Sequence, residues 1–246
     1  MVIRSPRFLL AIPLLLVTAG FAGAKDKAAK MDKAEALHYL TPASVDVMKL
    51  LPAPPKPETD EAKADLDVVL RVQEKRTDAE VARALSEAKL KMKAFSPVVG
   101  TWFTAENLPL TAKLIKTAEK DSKYFSALGK EKFARKRPPN DARIKPKIEE
   151  SDEPSYPSGH STRAILFASI IAELDPEQAD LLMDRAREIG WDRVIAGVHY
   201  PSDIIAGRVL GQALFQAMGK NPEFQADLAV AKAEFAAAQQ KFAAIK

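Results

Sequence analysis

Residues 161–174, Ser-Thr-Arg-Ala-Ile-Leu-Phe-Ala-Ser-Ile-Ile-Ala-Glu-Leu, are apolar on almost every face of a helix. Such a helix leaves no side for water, so it must lie at the centre of a domain with other elements packed around it. The rest of the chain agrees: its periodicity is helical nearly throughout, without a convincing alternating strand segment. The spacing predicts an all-α fold, a single compact helical domain of eight to ten helices around this central buried helix.

The start of the chain reads as a secretory leader. Arg4 and Arg7 give a positive beginning, residues 8–16 are apolar, and Ala22-Gly23-Ala24 offers a small-residue cleavage site. The alternative is a retained membrane anchor, which the apolar stretch disfavours by being shorter than the ~20 residues a spanning helix needs. Residues 1–24 are therefore set apart as a signal peptide, and 25–246 are expected to form the domain. The mature chain is expected in a periplasm, without stable membrane association.

About 220 residues remain, enough for one well-buried core. The chain has no cysteine, which excludes disulfides and thiolate metal sites and leaves the apolar core to hold an exported protein together. Setting Arg4 and Arg7 aside from the 37 basic residues leaves 35 against 33 acidic ones. That balance gives no support to nucleic-acid binding.

Local signals place the elements. Residues 25–57 read as an irregular N-terminal arm, because the run from Leu51 to Pro57 is too rich in proline for helix or sheet. Thr77 with Glu80 makes a capping box. Asp175-Pro176 and Asn221-Pro222 each place a cap and an N1 proline before a long helix. Leu182, Ala186 and Ile189 form an inward stripe, and Arg193 falls on the same line. An arginine pointing inward needs an anion.

Three polar motifs follow one another. Lys130 and Arg137 stand two helical turns apart and can project from one face, with Pro138 ending the segment. Alone they could be no more than part of a solvated basic face, since Lys132, Arg135 and Lys136 are equally basic. Pro157-Ser158-Gly159-His160 is more specific: the glycine lets backbone approach an anion, the following helix presents free N–H groups and a positive dipole end, and Ser158 adds a hydroxyl donor. Its bland counterpart is a capped helix carrying a histidine. In Arg193-x5-His199-x3-Asp203, Pro201 is placed to open a helix with Asp203 in its first turn. An ionised Asp203 can accept a hydrogen bond from one ring nitrogen of His199 and leave the other as a nucleophile. A capping aspartate beside a structural histidine is the plain alternative.

His38 belongs to no motif and reads as surface or local packing. Lys113, Lys116, Lys120 and Lys123 read as a solvated face, Glu149, Glu150, Asp152 and Glu153 as a polar loop before the site, and Gly207 and Gly211 as close-packing positions.

In order, these motifs resemble the signature of the type 2 phosphatidic acid phosphatase superfamily, with the class A bacterial nonspecific acid phosphatases the branch most similar in layout. The resemblance implies that Lys130, Arg137 and Arg193 grip the phosphoryl oxygens with help from Ser158 and the Gly159 amide. It further implies that His199 attacks phosphorus, Asp203 orients it and His160 protonates the leaving alkoxide. None of these roles requires a metal or another cofactor. The implied substrates are small phosphomonoesters such as nucleotides or sugar phosphates, hydrolysed with broad specificity under mildly acidic conditions. One position departs from the pattern: Asp192 replaces the usual serine before the arginine, and could pair with a nearby cation and weaken its hold on phosphate. Glu106-Asn107 could match a pair the family often places near the pocket. A vanadate-dependent haloperoxidase, a lipid-phosphate phosphatase and a non-catalytic oxyanion-binding protein remain the rival readings. The alanine-rich tail, with Leu228, Phe235 and Phe242 seven apart, either pads the core or meets a second subunit in a homo-oligomer.

Overall fold

The structure is a computed structural model and describes residues 37–149 and 152–244. The expected leader and the first part of the arm lie outside the described residues, as does Glu150. Nine α-helices occur among the described residues: α1 (Val47–Leu50), α2 (Asp60–Lys75), α3 (Asp78–Ser86), α4 (Ser96–Val99), α5 (Pro109–Phe133), α6 (Gly159–Leu174), α7 (Ala179–Ile195), α8 (Pro201–Met218) and α9 (Pro222–Ala243). No strand is present among them, and the fold is all-α as expected.

The apolar run of residues 161–174 is the body of α6, and every residue from Ala164 to Ile171 is buried. Its most extensive neighbours are α7 and α8, with α5 and α9 closing the remaining sides. Gly207 and Gly211 make the α6–α8 approach possible. A Cβ on Gly207 would stand 2.6 Å from the Ser158 carbonyl oxygen, and one on Gly211 would stand 2.5 Å from that of Thr162. The predicted stripe of Leu182, Ala186 and Ile189 on α7 is buried, and Arg193 with it.

Predicted caps divide into two groups. Thr77 and Glu80 form the capping box of α3, and the Asn221 side chain accepts from Glu223 N and Phe224 N at the start of α9. Asp175-Pro176, by contrast, opens a 3-10 turn (Pro176–Gln178) without a side-chain cap, and the long helix begins at Ala179. The arm also departs from expectation, since α1 is a helical turn within it, capped by Asp46. Its path is held by the buried Asp121 carboxylate, which accepts from the backbone N–H groups of His38, Tyr39 and Leu40 at 2.8–3.0 Å.

The tail pads the core. Phe235 is fully buried against Trp102 and Phe103, Phe242 stacks on Trp102 with ring centroids 5.7 Å apart, and Leu228 packs against the same cluster. Glu234 reaches from α9 to the start of α5 and accepts from Leu110 N and Thr111 N, serving two of the amides that a helix N-terminus leaves over. None of the described helices is long and apolar enough to cross a membrane.

Candidate active site

Three segments converge: the end of α5 with the extended stretch after it, the N-terminus of α6, and the turn between α7 and α8. The first departs from the sequence reading. Helix α5 ends at Phe133, because Ala134 takes the left-handed conformation (φ 45°). Lys130 thus lies in the last turn, whereas Arg137 stands in extended backbone (φ −76°, ψ 159°) ahead of Pro138. The two residues do not share a helix face, but their side chains converge on the Glu153–Pro154 segment. The Lys130 ammonium donates to the Pro154 carbonyl and lies 3.6 Å from Glu153 Oε2. Burial, and then the neighbouring Arg137 charge, lower its pKa to about 8. Arg137 donates from Nε to Glu153 O (2.7 Å), and from Nη1 to Val198 O (2.8 Å) and His199 Nε2 (3.2 Å).

His199 is buried, with Nδ1 3.2 Å from Asp203 Oδ2. A guanidinium can only donate, so the contact with Arg137 requires a lone pair on Nε2 and leaves the proton on Nδ1, where Asp203 accepts it. Burial outweighs the attraction of Asp203 and holds the ring below the usual histidine range, hence neutral. Asp203 itself is pushed up by burial, but the His199 hydrogen bond, the Arg135 charge and the Tyr200 N–H together keep it below the usual carboxylate range. As predicted, Pro201 opens α8 and Asp203 lies in its first turn.

Arg135, which by local sequence belongs to a solvated basic face, is the support of this pair. Its Nη1 donates to Asp203 Oδ1 and to Ser202 Oγ at 2.7 Å, and its Nη2 donates to Asp65 Oδ2 at 2.8 Å. The guanidinium also stacks 4.1 Å over the Tyr200 ring. A buried chain therefore runs Asp65–Arg135–Asp203–His199. Nothing local separates Arg135 from Lys132 and Lys136; Asp65, its distant partner, comes from α2.

At the α6 end, Ser158 is the N-cap. Its Oγ accepts from Ser161 N, and its own N–H donates to the Asp203 carbonyl at 3.0 Å, tying this turn to α8. The cap uses a lone pair of the Ser158 oxygen, and the hydroxyl hydrogen is not spent in it. Gly159 is the first helical residue. His160 follows, with Nε2 3.0 Å from the Ala88 carbonyl and Nδ1 3.3 Å from Arg163 Nη2. Burial first, then Arg193, Arg163 and His199, hold it well below its ordinary value.

Arg193 is 8% exposed, and its Nε and Nη1 are buried with no hydrogen-bond partner. Burial and the charges of Arg137 and Arg163 lower its pKa to about 10. A desolvated guanidinium with unpartnered N–H groups beside two others is a receptor for an anion. Asp192 does pair with a cation, but that cation is Arg83, whose Nε and Nη2 reach its two oxygens at 2.9 and 2.8 Å. Glu106 and Asn107 lie exposed on the loop before α5, where Asn107 Nδ2 donates to Trp102 O. His38 pairs with Glu223 at 2.9 Å on the surface, and Lys113, Lys116, Lys120 and Lys123 of α5 are exposed, both as expected.

An aspartate-held neutral imidazole facing clustered, desolvated cations on an all-helical frame is equipped to receive a tetrahedral oxyanion and attack it. The PAP2 superfamily pattern matches residues 121–222, which include all three motifs. A non-specific acid phosphatase of Providencia stuartii is 32% identical over 212 residues, 81% of this chain and 85% of that protein. One from Salmonella typhi is 33% identical over 57% of this chain and 58% of its own length. A bacterial vanadium-dependent iodoperoxidase superposes with a TM-score of 0.57 over 73% of this chain and 54% of that one, at 16% identity, and shares the fold. The chain belongs to the PAP2 superfamily, and within it to the non-specific acid phosphatases.

Proposed function

We propose that this protein hydrolyses small phosphomonoesters with broad specificity through a covalent phosphohistidine intermediate, without a metal. Membership among the non-specific acid phosphatases makes it a phosphoric monoester hydrolase. The observation that carries the mechanism is the His199 ring, with its proton turned to Asp203 and its Nε2 lone pair turned toward Arg137, 3.2 Å away.

In this reading a phosphoryl group settles among Arg137, Arg193, Lys130, the Ser158 hydroxyl and the Gly159 amide, and the cations stabilise the charge on its equatorial oxygens. His199 Nε2 attacks phosphorus as the P–O bond to the alcohol breaks, and Asp203 holds the resulting imidazolium. His160, protonated, delivers a proton to the leaving oxygen. Water then attacks the phosphohistidine, giving a proton to the now neutral His160 as the P–N bond to His199 breaks, so one difficult displacement is split into two easier ones. The proposal includes export to the periplasm after cleavage behind Ala24.

The test is hydrolysis of p-nitrophenyl phosphate with EDTA present, together with alkaline-quench labelling of the chain by radioactive substrate. Wild type should turn over and retain label, whereas His199→Ala should lose at least ~10³-fold in kcat and carry no label. Activity that EDTA abolishes, or that survives without His199, would overturn the mechanism. Failure of osmotic shock to release the activity would count against export.

A further inference from the structure

Arg163 belongs to none of the three motifs, yet it stands on the pocket. It lies one turn after His160 on the same face of α6. Its guanidinium spans two pocket residues: Nη2 is 3.3 Å from His160 Nδ1, and Nη1 lies 3.6 Å from where a Cβ on Gly159 would be. The side chain is only 16% exposed. Its buried Nε has no hydrogen-bond partner, the Glu119 carboxylate standing 3.7 Å away and paired at 2.8 Å with Lys123.

We propose that Arg163 contacts the phosphoryl group and also positions the general acid: its guanidinium holds His160 Nδ1 before substrate binds and transfers to a phosphoryl oxygen when substrate enters. This rests on the reading of His160 as the acid. The chemistry follows from which groups can donate. Arg163 only donates and the Ala88 carbonyl only accepts, so the two contacts require a neutral His160 with its proton on Nε2. An acid needs a second proton, on Nδ1, and Arg163 blocks that position.

A phosphoryl dianion is a stronger acceptor for a guanidinium than an imidazole nitrogen is. Once it draws Arg163 away, Nδ1 takes a proton from solvent. That proton passes to the leaving alkoxide as its bond to phosphorus breaks, and His160 returns to neutral. The charged or titratable groups acting on His160 are Arg163 on its own helix, Arg193 from α7 and His199 from the turn before α8, while Glu119 and Glu153 act on Arg163. Arg163 thus makes protonation of the acid conditional on substrate.

The chain has three histidines, so each imidazole can be followed by NMR in the full-length protein, with His38 as an internal control. In wild type, His160 should titrate below the usual range and move upward when inorganic phosphate saturates the pocket. In R163M the free-enzyme titration should move up toward the ordinary value, the phosphate-induced shift should shrink, and the phosphate dissociation constant should rise about tenfold. R163Q supplies the same readouts, with a smaller change in titration, if R163M does not fold. An unchanged His160 titration or an unchanged phosphate affinity overturns the proposal. These readouts do not involve turnover. Failure here, with His199→Ala still inactive, removes only the role of Arg163; a His199→Ala variant that stays active removes the mechanism itself.

Discussion

At the scale of single residues, the site depends on keeping two imidazoles different, His199 buried and His160 half-buried. His199 has a carboxylate behind it and an arginine in front, so its neutral form keeps the proton on Nδ1 and the Nε2 lone pair turned to Arg137. His160 has a carbonyl on one nitrogen and an arginine on the other, and must gain a proton to act. Replacing His160 by asparagine should lower kcat by ~10²- to 10⁴-fold for an alkyl phosphate. The loss should be far smaller for p-nitrophenyl phosphate, whose leaving group needs little protonation. Equal losses on both substrates would deny His160 the role of acid. Because burial and its cationic neighbours depress His160, kcat/KM should decline as pH rises through the acidic range, where the free enzyme loses that proton.

At the scale of elements, catalytic geometry is set by how closely α8 approaches the start of α6. Ser158 N bonds the Asp203 carbonyl at 3.0 Å, and Gly207, one turn further along α8, leaves room for the Ser158 carbonyl. Gly207→Ala would put a methyl 2.6 Å from that oxygen and 2.8 Å from the Ser161 Cβ, neither of which is the flexible end of a side chain. The variant should lose about 1–3 kcal/mol of stability by overpacking, read from its urea midpoint. Its kcat should fall as well, since Asp203 and His199 would be displaced from the Ser158–Gly159 turn. A stable, fully active Gly207→Ala variant would show that the close approach is not needed. The same spacing explains why a glycine read as a packing position also matters for the chemistry.

At the scale of the whole molecule, the pocket costs stability in acid. The unfolded chain binds protons at His160 and His199 as pH falls through ~6.5. The folded chain resists both until lower pH, because their folded values are depressed. The unfolded state therefore holds more protons in that window, and stability falls with falling pH, by up to about 1.4 kcal/mol per pH unit for each group. Urea midpoints should decline from pH 6.5 to pH 5, and a His160→Asn, His199→Asn double variant should show a flatter decline. An identical slope in the double variant would assign the acid sensitivity to other groups. Activity and stability are thus expected to pull in opposite directions across the acidic range.

The sequence by itself determined the all-α fold, the central α6 and the motif residues, because these depend on short-range patterns: periodicity, caps, and polar residues at close spacing. It placed Pro201 and Asp203 correctly for the same reason. It missed the end of α5 at Ala134, because a left-handed residue without glycine leaves no mark in the sequence. It also took Arg135 for a solvated cation and passed over Arg163. Whether an arginine meets water or Asp65 from another helix is decided by long-range packing, whereas the three-residue spacing of His160 and Arg163 was open to a local reading. Asp192 makes the point most plainly. Its identity suggested pairing with a nearby cation, and only the tertiary structure, by bringing Arg83 from α3 to its buried carboxylate, decided which cation that is.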